Sequence, residues 1–328
     1  MQLNKIVVGI DFSDASLAAA RWAVGRVAPG GQVFLVYVLP EPFSPLYLNS
    51  YGDPALDQLA TYRPGVYGAL KGFGDALRSE RVRVGVRIGN PAATLARVAD
   101  EVKADLLCVG RGGRRQGGSR FGATTPQRLL AYARVPVLIV PSFAKDSDGE
   151  SAAGERVIAA LDARPNGDAI LDVAAALAAD WGMDLEAVHV VEADTRAPSL
   201  GGYLRLSELD VTALAHEWVR SRLAAVEGGS QARASIRWGD PGPELVSHAQ
   251  DHAALLVVGR ESQRSPVVFA GNFPSGSTTR YALWSAPCPV LVLPPTSVKP
   301  IQRPPSPIGQ LQRTLDPAGA SLRRSSRS

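Results

Sequence analysis

Ile6-Val7-Val8-Gly9-Ile10-Asp11 opens the chain as an apolar run closed by an aspartate, and Val157-Ile158-Ala159-Ala160-Leu161-Asp162 repeats the pattern near its middle. Short runs of this kind, rich in β-branched residues and without alternation, read as strands buried on both faces. The segments after the two runs repeat each other as well. After the first, Ser13 or Asp14 is placed to cap a helix that carries Leu17, Ala20, Val24 and Val27 on one face; after the second, Asp168 precedes Ile170, Val173 and Leu177 at the same spacing. Strands at 33–38 and 185–191 come next. Beyond a variable segment and a second helix, strands at 82–88 and 232–238 lead into near-identical turns, Gly89-Asn90-Pro91 and Gly239-Asp240-Pro241. In such a turn Gly permits the bend, Asn or Asp caps, and Pro takes the first helical position, where no amide is missed. Each half then continues through a helix to a fourth strand, 105–109 or 254–258, ending at Gly110-Arg111 or Gly259-Arg260. A last helix leads to Val135-Pro136-Val137-Leu138-Ile139-Val140-Pro141 or Cys288-Pro289-Val290-Leu291-Val292-Leu293-Pro294.

Apolar strands alternating with helices imply a parallel sheet covered on both faces, so the order predicts two doubly wound, five-stranded α/β domains in tandem. They occupy residues 1–141 and 156–294, joined by a polar linker at 142–155. A length of 328 residues with 45% hydrophobic and 20% charged residues supplies two cores. From 295 to 328 the chain is rich in Pro, Ser and Arg with few large apolar residues, the composition of a disordered tail. Lys299, Arg303, Arg313, Arg323, Arg324 and Arg327 against Asp316 give that tail +5 of a net +4, leaving the body at −1. Basicity confined to a tail argues against a folded nucleic-acid face. Cys108 and Cys288 sit in or beside apolar runs, as inert buried thiols do, and two cysteines make no disulfide framework. The sequence goes straight into a strand with no signal-like segment and no membrane-length apolar stretch, so a cytoplasmic protein without a membrane partner is expected.

Ligands of open parallel sheets bind outside the carboxyl ends of the strands, where strand order reverses. In the first half that points to Asp11 and to Gly110-Arg111-Gly112-Gly113-Arg114-Arg115-Gln116-Gly117-Gly118-Ser119-Arg120-Phe121-Gly122-Ala123-Thr124-Thr125-Pro126. Glycines let backbone amides approach phosphate oxygens, and a helix capped at Thr125 with Pro126 behind it aims unpaired amides at the same anion. Four arginines add positive charge. Asp11 has a plainer reading as a helix cap, and the loop as a surface connection.

The loop resembles the ATP signature of the universal stress protein family, G-x-x-G, nine residues, then G-S or G-T. Gly110 and Gly113 match, residues 114–122 supply the nine, and Ala123-Thr124 stand at the final pair, Ala for Gly being a departure. The resemblance extends over residues 3–141 and 156–294 and implies a Rossmann-like, adenine-nucleotide α-hydrolase-like fold. It also implies an ATP site, with Mg, at Gly9, Asp11, Val38, Val109, Gly110, Arg111, Gly113, Arg114, Ala123, Thr124 and Thr125, with Asp11 on the adenosine and Val38 near the adenine. The final strands, Val137–Val140 and Val290–Leu293, resemble those through which the family associates. They are expected to pair within the chain or across a homodimer, and a protein partner of unknown identity is expected besides.

The second half departs further. Ser262 replaces the second signature glycine, Glu261 brings negative charge, the spacing to Gly276-Ser277 is longer, and Pro266-Val267-Val268-Phe269-Ala270 inserts apolar bulk, although Asp162 is retained. A single nucleotide site, in the first half, is therefore expected. His248 and His252 share a spacing suited to a metal but lack a third ligand, and His189 reads as structural. No nucleophile–base pairing stands out, and Asp11-Phe12-Ser13-Asp14 takes the place of a dinucleotide fingerprint, so no catalytic or metal residue is assigned. The expected function is ATP-dependent stress regulation without rapid turnover, and the alternative is a nucleotide-free interaction module.

Overall fold

The computed structural model describes residues 2–39, 55–112, 125–142, 155–162, 167–192, 208–250, 253–260 and 277–295. The apolar runs form strands β1 (Lys5–Ile10), β2 (Gln32–Leu39), β3 (Val82–Ile88), β4 (Leu106–Gly110) and β5 (Val137–Val140), then β6 (Arg156–Leu161), β7 (Asp184–Val191), β8 (Arg233–Trp238), β9 (Ala253–Gly259) and β10 (Val290–Leu293). Between them lie α1 (Asp14–Arg26), α2 (Ala55–Asp75), α3 (Pro91–Val102) and α4 (Thr125–Tyr132), then α5 (Gly167–Trp181), α6 (Glu208–Leu223), α7 (Pro241–Ala249) and α8 (Ser277–Ser285).

Within each half every strand pair is parallel. The halves do not keep separate sheets. β5 pairs antiparallel with β10, Leu138 opposite Leu291, giving one ten-stranded sheet in the order β3-β2-β1-β4-β5-β10-β9-β6-β7-β8. Each of these two central strands is buried along its whole length, and the pairing leaves neither as an open edge.

Strand alternation splits the core into two layers. Ile6, Val8, Leu106, Cys108 and Leu291 face α1, α2, α5 and α6, whereas Val7, Leu107, Val109, Val290 and Val292 face α3, α4, α7 and α8. The helix starts obey local chemistry. Ser13, not Asp14, caps α1, its side chain accepting from Ser16 N, because Asp14 already lies in the first turn, where its charge suits the helix dipole. Asn90 caps α3 by accepting from Ala93 N, Asp240 caps α7 by accepting from Gly242 N, and Pro91 and Pro241 come directly after them. Asp168 lies inside the first turn of α5 instead of before it. The linker at 143–154 and the tail from 296 onward lie outside the described residues. Among the described residues no helix is long and apolar enough to cross a membrane.

Candidate functional site

β1 lies between β2 and β4, with Gly9 opposite Val109, so the chain leaves β1 at Asp11 and β4 at Gly110-Arg111 side by side. Strand order reverses here and neighbouring crossovers run to opposite faces, the arrangement at which open parallel sheets bind ligands. Asp11 is half-buried, and its Oδ1 accepts hydrogen bonds from Ser13 N at 3.0 Å and Ser13 Oγ at 2.5 Å. It is thus not the helix cap but the residue that orients the cap. Phe12 turns the chain between them with φ of 62°, and its ring packs on Tyr37 and Phe73 at 5.0 and 6.0 Å.

Several residues expected at the site have structural work of their own. A Cβ on Gly9 would stand 2.7 Å from Leu95 Cδ1, so Gly9 makes room for α3. A Cβ on Gly110 would stand 2.7 Å from Ala15 Cβ and still nearer its carbonyl carbon, so Gly110 lets the start of α1 press against β4. Val38 and Val109 are buried in the α3–α4 layer. Arg111 donates its N–H to Val140 O at 2.7 Å and its guanidinium to Ala286 O at 2.6 Å, in the other half. Burial lowers its pKa from 12.5, but a guanidinium stays charged. Thr125 is the first residue of α4, and Gly113, Arg114, Ala123 and Thr124 lie outside the described residues.

The universal stress protein family matches residues 2–141 and again residues 154–294. The chain belongs to the universal stress protein family. Among solved structures, a universal stress protein from Archaeoglobus fulgidus DSM 4304 is 17% identical with a TM-score of 0.60, over 89% of this chain and 99% of its own. A Pseudomonas aeruginosa UCBPP-PA14 protein named for the same family is 18% identical with a TM-score of 0.55, over 89% of this chain and 93% of its own. At such identities the likeness is one of fold. No curated protein sequence matches the chain.

In the second half of this tandem family member Asp162, directly after β6, is exposed, unlike Asp11, and residues 261–276 lie outside the described ones. His189 Nδ1 donates to Leu161 O at 2.9 Å and its ring stands edge-on to Trp218 at 5.0 Å, a packing role. His248 Nε2 donates to Glu186 Oε1 at 2.9 Å, and His252 is outside the described residues. Among the described residues no group of three His, Cys, Asp or Glu is placed to hold a metal.

Sequence reasoning missed what His248 belongs to. Glu186, 3% exposed, also accepts from Ser235 Oγ at 2.6 Å and from Arg156 Nη1 at 3.4 Å. The His248 hydrogen bond, with help from Ser235 and the Arg156 charge and against the cost of burial, holds the Glu186 carboxyl down at about 2. The first half keeps a cation at one of these places, Lys5 at the start of β1 where Arg156 starts β6, and is apolar at the other three. Gly89 N bonds Leu39 O as Gly239 N bonds Val191 O, which sets Phe34 at the position of Glu186. Gly85 opposite Val36 matches Ser235 opposite Val188, and Val98 matches His248 along the helices that start at Pro91 and Pro241. A carboxylate inside an apolar strand whose repeat partner carries Phe was the available signal.

Proposed function

We propose that the chain is an ATP-binding regulatory protein of the stress-response type, with one Mg-ATP held by the first half. The observation that carries this reading is the convergence, at the reversal of strand order, of a positioned Asp11 with the start of the glycine-rich loop at Gly110–Gly112, a loop that returns through the start of α4. In this reading the amides of residues 112–125 and the side chains of Arg114, Arg115 and Arg120 hold the phosphates and Asp11 meets the adenosine. Mg offsets phosphate charge. Bound nucleotide then selects one conformation or assembly state, and no residue is assigned a catalytic role. The second half is read as a degenerate site, given Glu261, Ser262 and the exposed Asp162.

A nucleotide-free interaction module is the second reading. Ala123 favours it, and so does the packing use of Gly9, Gly110 and Arg111, since each has a reason to be present without a ligand. Mass spectrometry of small molecules carried through native purification separates the two, together with calorimetric titration of Mg-ATP. The ATP reading expects recovered ATP and about one site per chain, abolished by Gly113→Asp and kept by Asp162→Ala. Two equivalent sites, or loss with Asp162→Ala alone, would move the site to the second half, and no binding would leave the interaction module.

A further inference from the structure

We infer that the aromatic cleft between α7 and α8 is a docking site for this chain's own proline-rich tail, taken across Tyr281 and Trp284 as a polyproline II segment. The inference stands apart from the nucleotide reading.

The internal repeat isolates the feature. Arg260 reaches Ala133 O as Arg111 reaches Ala286 O, so Ala133 and Ala286 occupy matching places at the ends of α4 and α8. Counting back from them, Trp284 stands where the first half has Ala131, and Tyr281 where it has Arg128. The turns into α3 and α7 match in the same way, setting Pro243 against Ala93 and Gly242 against Ala92. The inward positions of α8 remain those of a core helix, Ala282 and Leu283 being buried like Leu129 and Leu130. The exchange on α8 is therefore on its outer face, where Tyr281 is 43% and Trp284 49% exposed. Gly242 belongs to the same arrangement, since a Cβ there would stand 2.8 Å from Tyr281 Cβ. The missing methyl lets α7 close up against the base of the ring.

Asp240, Pro243, Arg280, Tyr281 and Trp284 line a cleft of about 410 Å³. Two rings and a proline open to water make a track for an extended chain, whereas small-molecule sites enclose most of their ligand. Aromatic-lined grooves take polyproline II segments, whose backbone makes no internal hydrogen bonds and so accepts from donors outside it. The Trp284 indole N–H and the Arg280 guanidinium supply donors at the edge of this cleft. Asp240 caps α7 through one carboxylate oxygen and offers its charge to a cation.

Charge and reach select the occupant. Lys299-Pro300-Ile301-Gln302-Arg303-Pro304-Pro305-Ser306-Pro307, outside the described residues, sets an arginine directly before a cluster of prolines. With three residues per turn, Pro304 and Pro307 share one edge of a polyproline II helix and present two prolines to two rings, with Arg303 ahead of them for Asp240. The last described residue, Pro295, lies at the right end of the sheet. Leu293 is opposite Gly259, whose carbonyl accepts from Thr279 Oγ1 in the first turn of α8 at 2.8 Å. The eight residues from Pro295 to Arg303 can extend about 26–29 Å. That is about twice the ~14 Å length of the nine-residue α8. So short a tether gives the segment a millimolar effective concentration, so a groove of modest affinity is filled.

The test is hydroxyl-radical footprinting of the full chain and of a Pro304→Ala/Pro305→Ala/Pro307→Ala chain, read residue by residue by peptide mass spectrometry. Tyr67, 47% exposed on α2 at the other face of the sheet, is the reference. Trp284 and Tyr281 are expected to oxidise about three-fold or more faster, relative to Tyr67, in the altered chain. A peptide of residues 299–307 added to the altered chain should restore the protection, and the same peptide with its prolines at 304, 305 and 307 replaced by alanine should not. In Trp284→Ala, which removes an exposed ring, Tyr281 should oxidise at one rate with or without the tail prolines. Equal Trp284 rates in the unaltered and altered chains overturn the proposal. If dilution then raises both rates, a second copy covers the cleft; if it raises neither, the cleft has no occupant. Protection in the unaltered chain that the added peptide fails to restore also overturns it, because the tail then acts from elsewhere.

Discussion

His248 Nε2 meets Glu186 Oε1 at 2.9 Å across the α7–β7 contact, and the carboxylate it meets is almost wholly buried. Because the folded-state pKa of Glu186 is depressed from 4.5 to about 2, its contribution is present above the unfolded value and is lost as pH falls from about 4.5 towards 2. The shift corresponds to something on the order of 3 kcal/mol. Glu186→Gln should therefore be less stable than the unaltered chain at pH 7, with the gap closing between pH 4.5 and 2 in urea titrations. A gap that stays constant through that window would place the ionisation of Glu186 elsewhere.

Gly110 and Gly9 both stand in the nucleotide pattern, and both are packed, but their neighbours differ. Gly110→Ala drives a methyl into the backbone of Ala15, which cannot move without shifting α1, whereas Gly9→Ala meets the end of the Leu95 side chain, which can rotate. The first should cost about 3 kcal/mol and the second about 1 kcal/mol in equilibrium unfolding. Equal costs would mean that α1 can slide over β4.

Much of the architecture was legible because the chain says it twice. Apolar runs, the Gly-Asn-Pro and Gly-Asp-Pro turns and the order of elements are local signals, and the structure places strands and helices on them with shifts of a residue or two at the ends. The continuity of the sheet was less legible, since pairing Leu138 with Leu291 is a matter of distant register. Arg111 shows the limit most clearly. As a residue type after a strand and before glycines it reads as a phosphate ligand, yet its hydrogen-bond acceptor lies 175 positions along the chain. Glu186 was hidden for a related reason, its three partners coming from β6, β8 and α7.

Asp11 serves the start of α1 as well as its proposed nucleotide, and the two roles need separate variants. Asp11→Ala removes the acceptor for both Ser13 N and Ser13 Oγ and should cost about 1–2 kcal/mol in thermal or urea unfolding. Asp11→Asn keeps a carbonyl oxygen for Ser13 and should remain within about 0.5 kcal/mol of the unaltered chain. An Asn variant as unstable as the Ala variant would show that the charge, and not the turn it holds, supports this corner.

Trp181 closes the interface on the face opposite α3 and α4. It ends α5 of the second half, yet its ring stands edge-on to Trp22 of α1 at 5.7 Å and lies under the Arg26 guanidinium at 4.6 Å. Burial lowers the pKa of Arg26 from 12.5, so its cation has given up part of its water and faces an aromatic quadrupole in exchange. Trp181→Ala should cost about 1–3 kcal/mol from the lost ring pair, cation–π contact and apolar burial together. Arg26→Met retains most of the side-chain bulk and removes only the charge. A double-mutant cycle between the two should return a coupling of about 0.5–1 kcal/mol, because the guanidinium and the ring are in direct contact across the halves. Strict additivity would mean that the guanidinium gains nothing from the ring. Arg26 would then contribute through its aliphatic stem alone, and the cost of Trp181→Ala would come from the Trp22 ring pair and apolar burial.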